Sequence, residues 1–354
     1  MVTERYILVL RLSAMGDVAL ITPVLRAVDK GEYKIIVVTR PLFASFFYGL
    51  EGIEVFIPDF KVRHHGISGI FRLYRDIKQK YNISLVIDLH SVIRTWILGL
   101  LFSFWGRKLY RINKDRKKKK KFIRSRVDTL LPHITERYSD VFRRAGFEVG
   151  DIIIPSFITG ESADAEALAV IDNYVRKGSY LIGISPFAKH RTKEWGLDNI
   201  RHLMLQINKE YDVFFIFFGG RDDYKDLLLL ASSFSNCYIA AGRHDLSTEL
   251  ALIRHLSLMI SMDSSNMHLA ALSGIPTLSI WGGTHPSMGF SPSGDQQHII
   301  IETPNSMLGC RPCSIYGSKD CIRKDLKYKC MKMIRPEDVL MKLQLSDHKI
   351  SNKK

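Results

Sequence analysis

Three short stretches of the chain hold residue types that can do chemistry. Arg11-Leu-Ser-Ala-Met-Gly-Asp17 places a carboxylate directly after a glycine, at the start of a helical pattern. A carboxylate there can cap the helix through its backbone, or it can take a proton from a hydroxyl as a general base. Spacing alone leaves both open. Ser185-Pro-Phe-Ala-Lys-His-Arg-Thr-Lys193-Glu-Trp195 gathers Lys189, Arg191 and Lys193 within five residues. Cations at a strand-to-helix junction suit a diphosphate, because the helix N-terminus adds its own partial positive charge. They would also serve as ordinary solvated side chains, and Trp195 reads as packing rather than as a stacking platform. Asp263-Ser264-Ser265-Asn-Met-His268 is a third strand-to-helix junction, with His268 one turn inside the helix. A histidine in that place is commonly a core residue; Asp263 and Ser264 beside it favour ligand contact. This third loop lacks the glycine spacing of a dinucleotide fingerprint or a P-loop.

The elements around these loops follow one pattern. Tyr6–Leu10, Lys34–Thr39 and Leu85–Leu89 are apolar, β-branched runs that read as strands, with helical stretches from Asp17 to about Val28 and over Ile70–Tyr81. Pro23 is an irregularity inside the first of these helices. The pattern restarts with strands at Tyr180–Ser185, Val213–Phe218, Cys237–Ala241, Leu258–Met262 and Pro276–Trp281, and helices at Leu197–Glu210, Leu246–His255 and His268–Ser273. Continuous apolar strands alternating with helices predict parallel sheets covered on both faces. The reading is an α/β chain of two Rossmann-like lobes facing a central cleft. Its first domain is 1–160, its hinge lies at 161–178 within the stretch from Ser156 to Gly178, its second domain is 179–330, and a terminal helix and tail occupy 331–354. In open α/β sheets ligands bind beyond the carboxyl ends of strands, where all three loops fall.

Composition narrows the class further. At 354 residues, 46% hydrophobic and 25% charged, the chain suits a two-domain globular protein. Its longest apolar run, Trp96–Trp105, is far short of the roughly 18 residues a membrane span needs. It reads more readily as a helix buried against a sheet than as a lipid contact. The start of the chain lacks a secretory pattern, so we expect a cytosolic protein. Of the net charge of +15, most comes from Arg107–Arg126, which holds 12 Lys/Arg against the single acid Asp115. Such an arm calls for an anionic partner: nucleic acid, anionic lipid or a phosphorylated glycolipid. The late cysteines Cys310, Cys313, Cys321 and Cys330 are spaced compactly enough for zinc but lack paired C-x2-C knuckles. Zinc ligands and reduced structural thiols both remain open.

An ordered set of motifs resembles glycosyltransferase family nine, the lipopolysaccharide heptosyltransferase family. It runs from Ile7-Leu-Val-Leu-Arg-Leu-Ser-Ala-Met-Gly-Asp-Val18 with Thr22-Pro23, through Asp88-Leu-His90 with Arg94, Glu136-Arg-Tyr138 and Thr192-Lys-Glu-Trp195. It continues to Asp263-Ser-Ser-Asn-Met-His-Leu-Ala270, Gly274-Ile-Pro276, Gly282-Gly-Thr-His-Pro286 and the cysteine tail leading to Pro336-Glu337. The resemblance implies a GT-B fold, with an acceptor-binding first domain and a donor-binding second one. It implies an inverting, metal-independent transfer of a sugar, heptose from an ADP-heptose donor, onto the lipopolysaccharide or lipooligosaccharide inner core. Asp17 is then the general base and Lys193 the cation for the leaving diphosphate. Ser185, Asp222, Asp263, Ser264, Ser265, His268 and Thr284 join Lys193 in donor binding. Ser13, Gly16, His90, Arg94, Arg137 and the arm residues Lys117, Lys118, Lys119, Lys120 and Lys121 fall to the acceptor. No cofactor and no metal are implied; the partners are a nucleotide sugar and a lipid-linked phosphorylated oligosaccharide. The arm then holds the enzyme peripherally on the anionic cytoplasmic face of the inner membrane.

Three departures from the family pattern stand out. Ser265 occupies a place where the family commonly has glycine. After Gly219-Gly220 comes Arg221, with Asp222 second. In the Gly282–Pro286 stretch, Gly283 and His285 replace the usual proline and aspartate. The alternatives are a transferase with another donor acting on a different surface glycan, a catalytically inert relative, and a nucleic-acid-binding protein using residues 107–126. The last would need aromatic or helical readers beside the arm, where Tyr110 and Phe122 are the aromatics nearby.

Overall fold

The structure is a computed structural model that describes residues 4–125, 130–155, 157–294 and 297–344. The chain forms two compact units: residues 1–114 with 134–158, and residues 115–133 with 159–354.

Unit 1 carries β1 (Arg5–Leu10), α1 (Met15–Ala19), α2 (Thr22–Ala27), β2 (Tyr33–Val38), β3 (Ile53–Phe56), α3 (Gly66–Lys80), β4 (Ile83–Asp88), α4 (Ile93–Phe104) and β5 (Lys108–Arg111). After α5 (Arg116–Ser125), which belongs to unit 2, α6 (Ile134–Arg144) returns to it. The five strands pair in parallel in the order β3-β2-β1-β4-β5. β1 lies at the centre, and from Tyr6 to Leu10 every side chain is buried, as a strand covered on both faces requires. The helix expected from Asp17 to Val28 is broken in two. Pro23 lacks the N–H that an unbroken helix would use, and it is accommodated in the first turn of α2 instead.

Unit 2 carries α5, α7 (Glu161–Tyr174), β6 (Tyr180–Ser185), α8 (Leu197–Glu210), β7 (Val213–Phe217), α9 (Tyr224–Ala231), β8 (Cys237–Ile239), α10 (Leu246–Arg254), β9 (Leu258–Met262) and α11 (Ser265–Leu272). β10 (Thr277–Trp281), β11 (Ile299–Glu302), α12 (Lys329–Lys332) and α13 (Pro336–Gln344) follow. Its six parallel strands run β11-β10-β9-β6-β7-β8. In each sheet the order reverses once, between β1 and β4 in unit 1 and between β6 and β9 in unit 2. These switch points leave a crevice at the carboxyl ends of the strands.

The two α/β units with parallel sheets are as expected, but the divisions between them differ from those read in the sequence. Residues 115–133 join unit 2, because the Phe122 ring lies 5.5 Å from that of His285, tilted against it, and the Leu131 N–H donates to the Ser287 carbonyl. The stretch expected as a hinge is mostly α7, an ordinary helix of unit 2 that packs on α10. The Thr248 hydroxyl donates to Glu166 at 3.0 Å, and Arg254 reaches Thr159 and Asp164. The terminal helix α13 is likewise part of unit 2, with Val339 and Leu343 in its core against α8. Ser156, Arg126 and residues 345–354, parts of the expected hinge, arm and tail, lie outside the described residues.

Candidate active site

In unit 1 the chemistry gathers at the β1/β4 switch point. Asp17 is the third residue of α1, and the Ala14 N–H donates to its Oδ2 at 3.4 Å. The carboxylate therefore does cap the helix. The same oxygen also takes an ion pair at 2.6 Å from Arg11, whose guanidinium is almost wholly buried. Arg11 is held in turn: its Nη1 donates to the Leu89 carbonyl at 2.5 Å and its guanidinium lies over the Tyr138 ring. The Tyr138 hydroxyl donates to the Asp17 carbonyl at 3.2 Å. Both contacts meet Oδ2, and about a quarter (25%) of the Asp17 side chain stays exposed.

His90 closes the same site from the end of β4. Its Nδ1 lies 3.4 Å from the Leu12 N–H and its Nε2 3.4 Å from the Ser13 hydroxyl. Burial, then the charges of Arg11 and Lys114, push the His90 imidazole down to about 3, so the ring is neutral at physiological pH. Asp88 beneath it is fully buried and accepts the His90 and Ser91 N–H groups at 3.1 and 2.7 Å. That pair of bonds shapes the turn that presents His90. Lys114 donates to the Ser91 carbonyl at 3.0 Å, and Arg40 adds another positive charge near the ring. The sequence reading missed Arg11, Arg40 and Lys114. The carboxyl-end rule could have found them, since each follows a strand of the same sheet by a few residues.

Other acceptor candidates lie elsewhere. Arg94 stacks over the Phe60 ring at 4.4 Å. Arg137 is buried and donates to the Asn113 carbonyl at 2.5 Å. Lys117, Lys118, Lys120 and Lys121 are exposed, but they lie on α5 of unit 2 rather than in the first domain. Lys119 is only 1% exposed and sits with its ammonium 4.2 Å from the centre of the Phe290 ring, near Tyr316. The amphipathic turn of α5 brings one lysine of the run inward beside Phe122 and leaves its neighbours in solvent.

In unit 2 the loops after β6 and β9 meet at the second switch point. The Lys193 ammonium lies 2.8 Å from Asp263 Oδ2 and donates to the Asp263 carbonyl at 3.2 Å. The Thr284 hydroxyl donates to the same carboxylate oxygen at 2.6 Å. Both members of the ion pair are largely buried. Asn266 Nδ2 donates to the Ser185 hydroxyl at 2.9 Å, and the Ser261 and Ser264 hydroxyls lie 3.1 Å apart. Ser264 is the N-cap residue of α11, Ser265 opens the helix, and His268 is buried within it. The loop geometry depends on close backbone approach: a Cβ at Gly282 would stand 2.4 Å from the Thr192 carbonyl oxygen. Trp195 is packing, as expected, with its indole N–H on the Ile334 carbonyl.

One further residue braces this site. Arg311, fully buried, donates to the carbonyls of Gly282 at 2.6 Å, Thr284 at 3.0 Å and Thr303, and to Glu302 at 2.9 Å. It fixes the loop that carries Thr284. Only its place between Cys310 and Cys313 marks it in the sequence. Asp222 is exposed; the carboxylate that folds back on the Gly219-Gly220 turn is that of Asp223, accepting the Gly220 N–H at 2.7 Å. All five cysteines are free thiols. Burial, and then its three neighbours Cys310, Cys330 and Cys321, push the Cys313 thiol up to about 11. Among the described residues no group of three or more His, Cys, Asp or Glu is arranged to hold a metal ion.

A family model described as glycosyltransferase family 9 (heptosyltransferase) matches residues 72–316. Lipooligosaccharide heptosyltransferase 2 of Campylobacter jejuni subsp. jejuni serotype O:2 is 25% identical over 172 residues, covering 47% of this chain and 50% of that protein. The match thus spans about half the length of this curated relative. A family 9 glycosyl transferase from Veillonella parvula DSM 2008 superposes with a TM-score of 0.75 and 21% identity over 97% of both chains. The E. coli ADP-heptose lps heptosyltransferase II superposes with a TM-score of 0.67 and 16% identity, over 96% of this chain and 97% of that one.

Proposed function

This chain belongs to glycosyltransferase family 9, the heptosyltransferase family, and from that premise we infer that it transfers a sugar, heptose from ADP-heptose, onto a lipid-linked, phosphorylated inner-core oligosaccharide. The observation that carries the reading is the Lys193–Asp263–Thr284 cluster at the β6/β9 switch point, beside the N-terminus of α11. An ammonium held there can follow the charge that grows on a departing diphosphate, and it needs no reorganisation to do so. Asp263 keeps it in place before the donor arrives; Thr284 and the Arg311-braced loop keep Asp263 in place. The donor preference is supported by the family and by the E. coli relative, which is named for ADP-heptose and lps.

The acceptor hydroxyl is activated by Asp17. Arg11 and the Ala14 N–H fix one carboxylate oxygen, and the other takes the proton as the hydroxyl oxygen attacks the anomeric carbon. The C–O bond to the diphosphate breaks on the opposite face, which inverts the configuration. Neutral His90, with Ser13, positions the acceptor by hydrogen bonds, and Arg40 and Lys114 supply charge for its phosphates. The exposed α5 lysines Lys117, Lys118, Lys120 and Lys121 of unit 2 offer further positive charge for a polyanionic acceptor. The enzyme works at the cytoplasmic face of a membrane; among the described residues no helix is long and apolar enough to cross one.

A donor panel tests the reading. Purified chain is incubated with a deacylated inner-core acceptor and with ADP-heptose, ADP-glucose, UDP-glucose or GDP-mannose, and nucleotide release and acceptor mass are followed. We expect turnover with ADP-heptose at least about tenfold above the others, the discrimination that one set of sugar hydroxyl contacts can supply. Equal or better turnover with a uridine or guanosine donor would refute the donor assignment. No acceptor-dependent turnover with any donor would refute transfer itself.

A further inference from the structure

α4 is buried on one side only. Thr95, Leu98, Gly99 and Phe102 are buried, Phe102 against Tyr74 of α3. Ile93, Trp96, Leu100 and Phe104, spaced three and four residues apart, form the opposite stripe and are exposed, Phe104 to 86%. The helix ends in the continuously exposed tip Ser103–Lys108, which holds Phe104, Trp105, Arg107 and Lys108. α3, packed alongside, adds exposed Ile67 and Phe71 and the cations Arg75 and Lys78 on its outer face. Both helices belong to unit 1. Globular proteins rarely leave so many large apolar side chains together in water.

The charges around these residues are one-sided. Residues 61–111 contain 10 Lys/Arg and only two acids, Asp76 and Asp88. Asp76 is paired with Arg63 and His64, and Asp88 is buried. The cations are also joined to the aromatics: the Lys78 ammonium stands 3.5 Å from the centre of the Trp105 ring, and the Arg111 guanidinium 4.4 Å from that of Trp96. Indoles with Lys and Arg beside them are the side chains that settle at the headgroup level of a bilayer. A twelve-residue helix is about 18 Å long, too short to span roughly 30 Å of hydrocarbon, so it would lie in the plane of the interface.

We propose that the outer face of α3 and α4, with the Ser103–Lys108 tip, is the surface by which this chain docks on an anionic phospholipid bilayer. This moves the membrane contact from the lysine run of α5 to an apolar face in unit 1, where the aromatics insert and the cations meet lipid phosphates. It rests on the transferase reading only in making a membrane the place where the acceptor is met, and binding can be measured without donor or acceptor.

Four tryptophans occur in the chain; Trp195 and Trp281 are buried at 4% and 1% exposure. A blue shift of tryptophan emission on adding vesicles therefore reports on Trp96 and Trp105. With the full chain we expect that shift on vesicles of phosphatidylethanolamine and phosphatidylglycerol, weakened by salt, and little of it on phosphatidylcholine alone. Phe104→Glu, and separately R107S/K108S, should each lower vesicle partitioning by on the order of tenfold. The four-fold α5 variant K117S/K118S/K120S/K121S should leave it within about twofold, because the contact rests on the aromatic and basic side chains of α3 and α4. Turnover on a delipidated, soluble acceptor should survive in the Phe104→Glu enzyme. If the wild type lacks that turnover yet still binds vesicles, the transferase reading fails and the docking surface stands. No shift on anionic vesicles at low salt overturns the proposal. So does a shift undiminished in Phe104→Glu, or one abolished by the α5 variant. A concentration-dependent dimer that Phe104→Glu dissolves, without vesicle binding, would assign the face to a second copy instead.

Discussion

Lys193 and His90 show how differently two site residues can depend on their surroundings. Lys193 is held by one carboxylate and is read as acting in the transition state. Lys193→Met should therefore lower kcat by on the order of 10²–10³, the usual loss when a preorganised charge is removed, measured as ADP release at saturating acceptor. His90 is kept neutral by burial and by Arg11 and Lys114, so the folded state binds fewer protons here than the unfolded chain, whose histidine titrates near 6.5. Stability from this group is complete above about pH 6.5 and is lost as the pH falls from there towards about 3. The urea midpoint should fall between pH 7.5 and pH 5, and fall less in His90→Gln. An equal fall in both would show that other groups govern the acid limb. Asp17, Lys193, Asp263 and Ser264 could be placed from the sequence because each lies in the loop or first helical turn that follows the carboxyl end of an obvious strand. Arg137 and Lys119 were not: whether a cation faces solvent or braces a carbonyl is decided by tertiary packing, and no local spacing reveals it.

At the level of elements, the site rests on loops tied down from a distance. Arg311 holds three carbonyls and Glu302, and through them Thr284 and Asp263. Arg311→Met should cost about 3 kcal/mol or more, because it leaves those buried acceptors without a donor. A thermal melt would show this as a clear loss in Tm, with donor KM raised in whatever folds. A wild-type melt would contradict the role. The central strands of both sheets were readable as continuous apolar runs. β3, β5 and β11 were not, since these short edge strands carry charged residues and lack full burial. The break between α1 and α2 at Pro23 was foreseen as an irregularity but not as an end, because proline is equally at home in a first turn.

For the molecule as a whole, charge and family membership together define the account. The two α/β units were visible as a pattern that restarts near Tyr180. The excursion of residues 115–133 into the second unit was not, because it depends on Phe122 and Lys119 finding partners more than 150 residues away. If the exposed α5 lysines attract a phosphorylated acceptor, K117S/K118S/K120S/K121S should raise acceptor KM several-fold at low salt, leave kcat near wild type, and flatten the salt dependence of kcat/KM. An unchanged KM with unchanged salt dependence would leave α5 as a solvated face. The claim on which everything else depends is that this family 9 chain activates its acceptor with the Arg11-held carboxylate, and one assay reaches it most directly. ADP-heptose turnover on the deacylated acceptor should fall by on the order of 10³ in Asp17→Asn, with ADP affinity within about twofold of wild type because the donor site is left intact; full turnover by that variant would contradict the account.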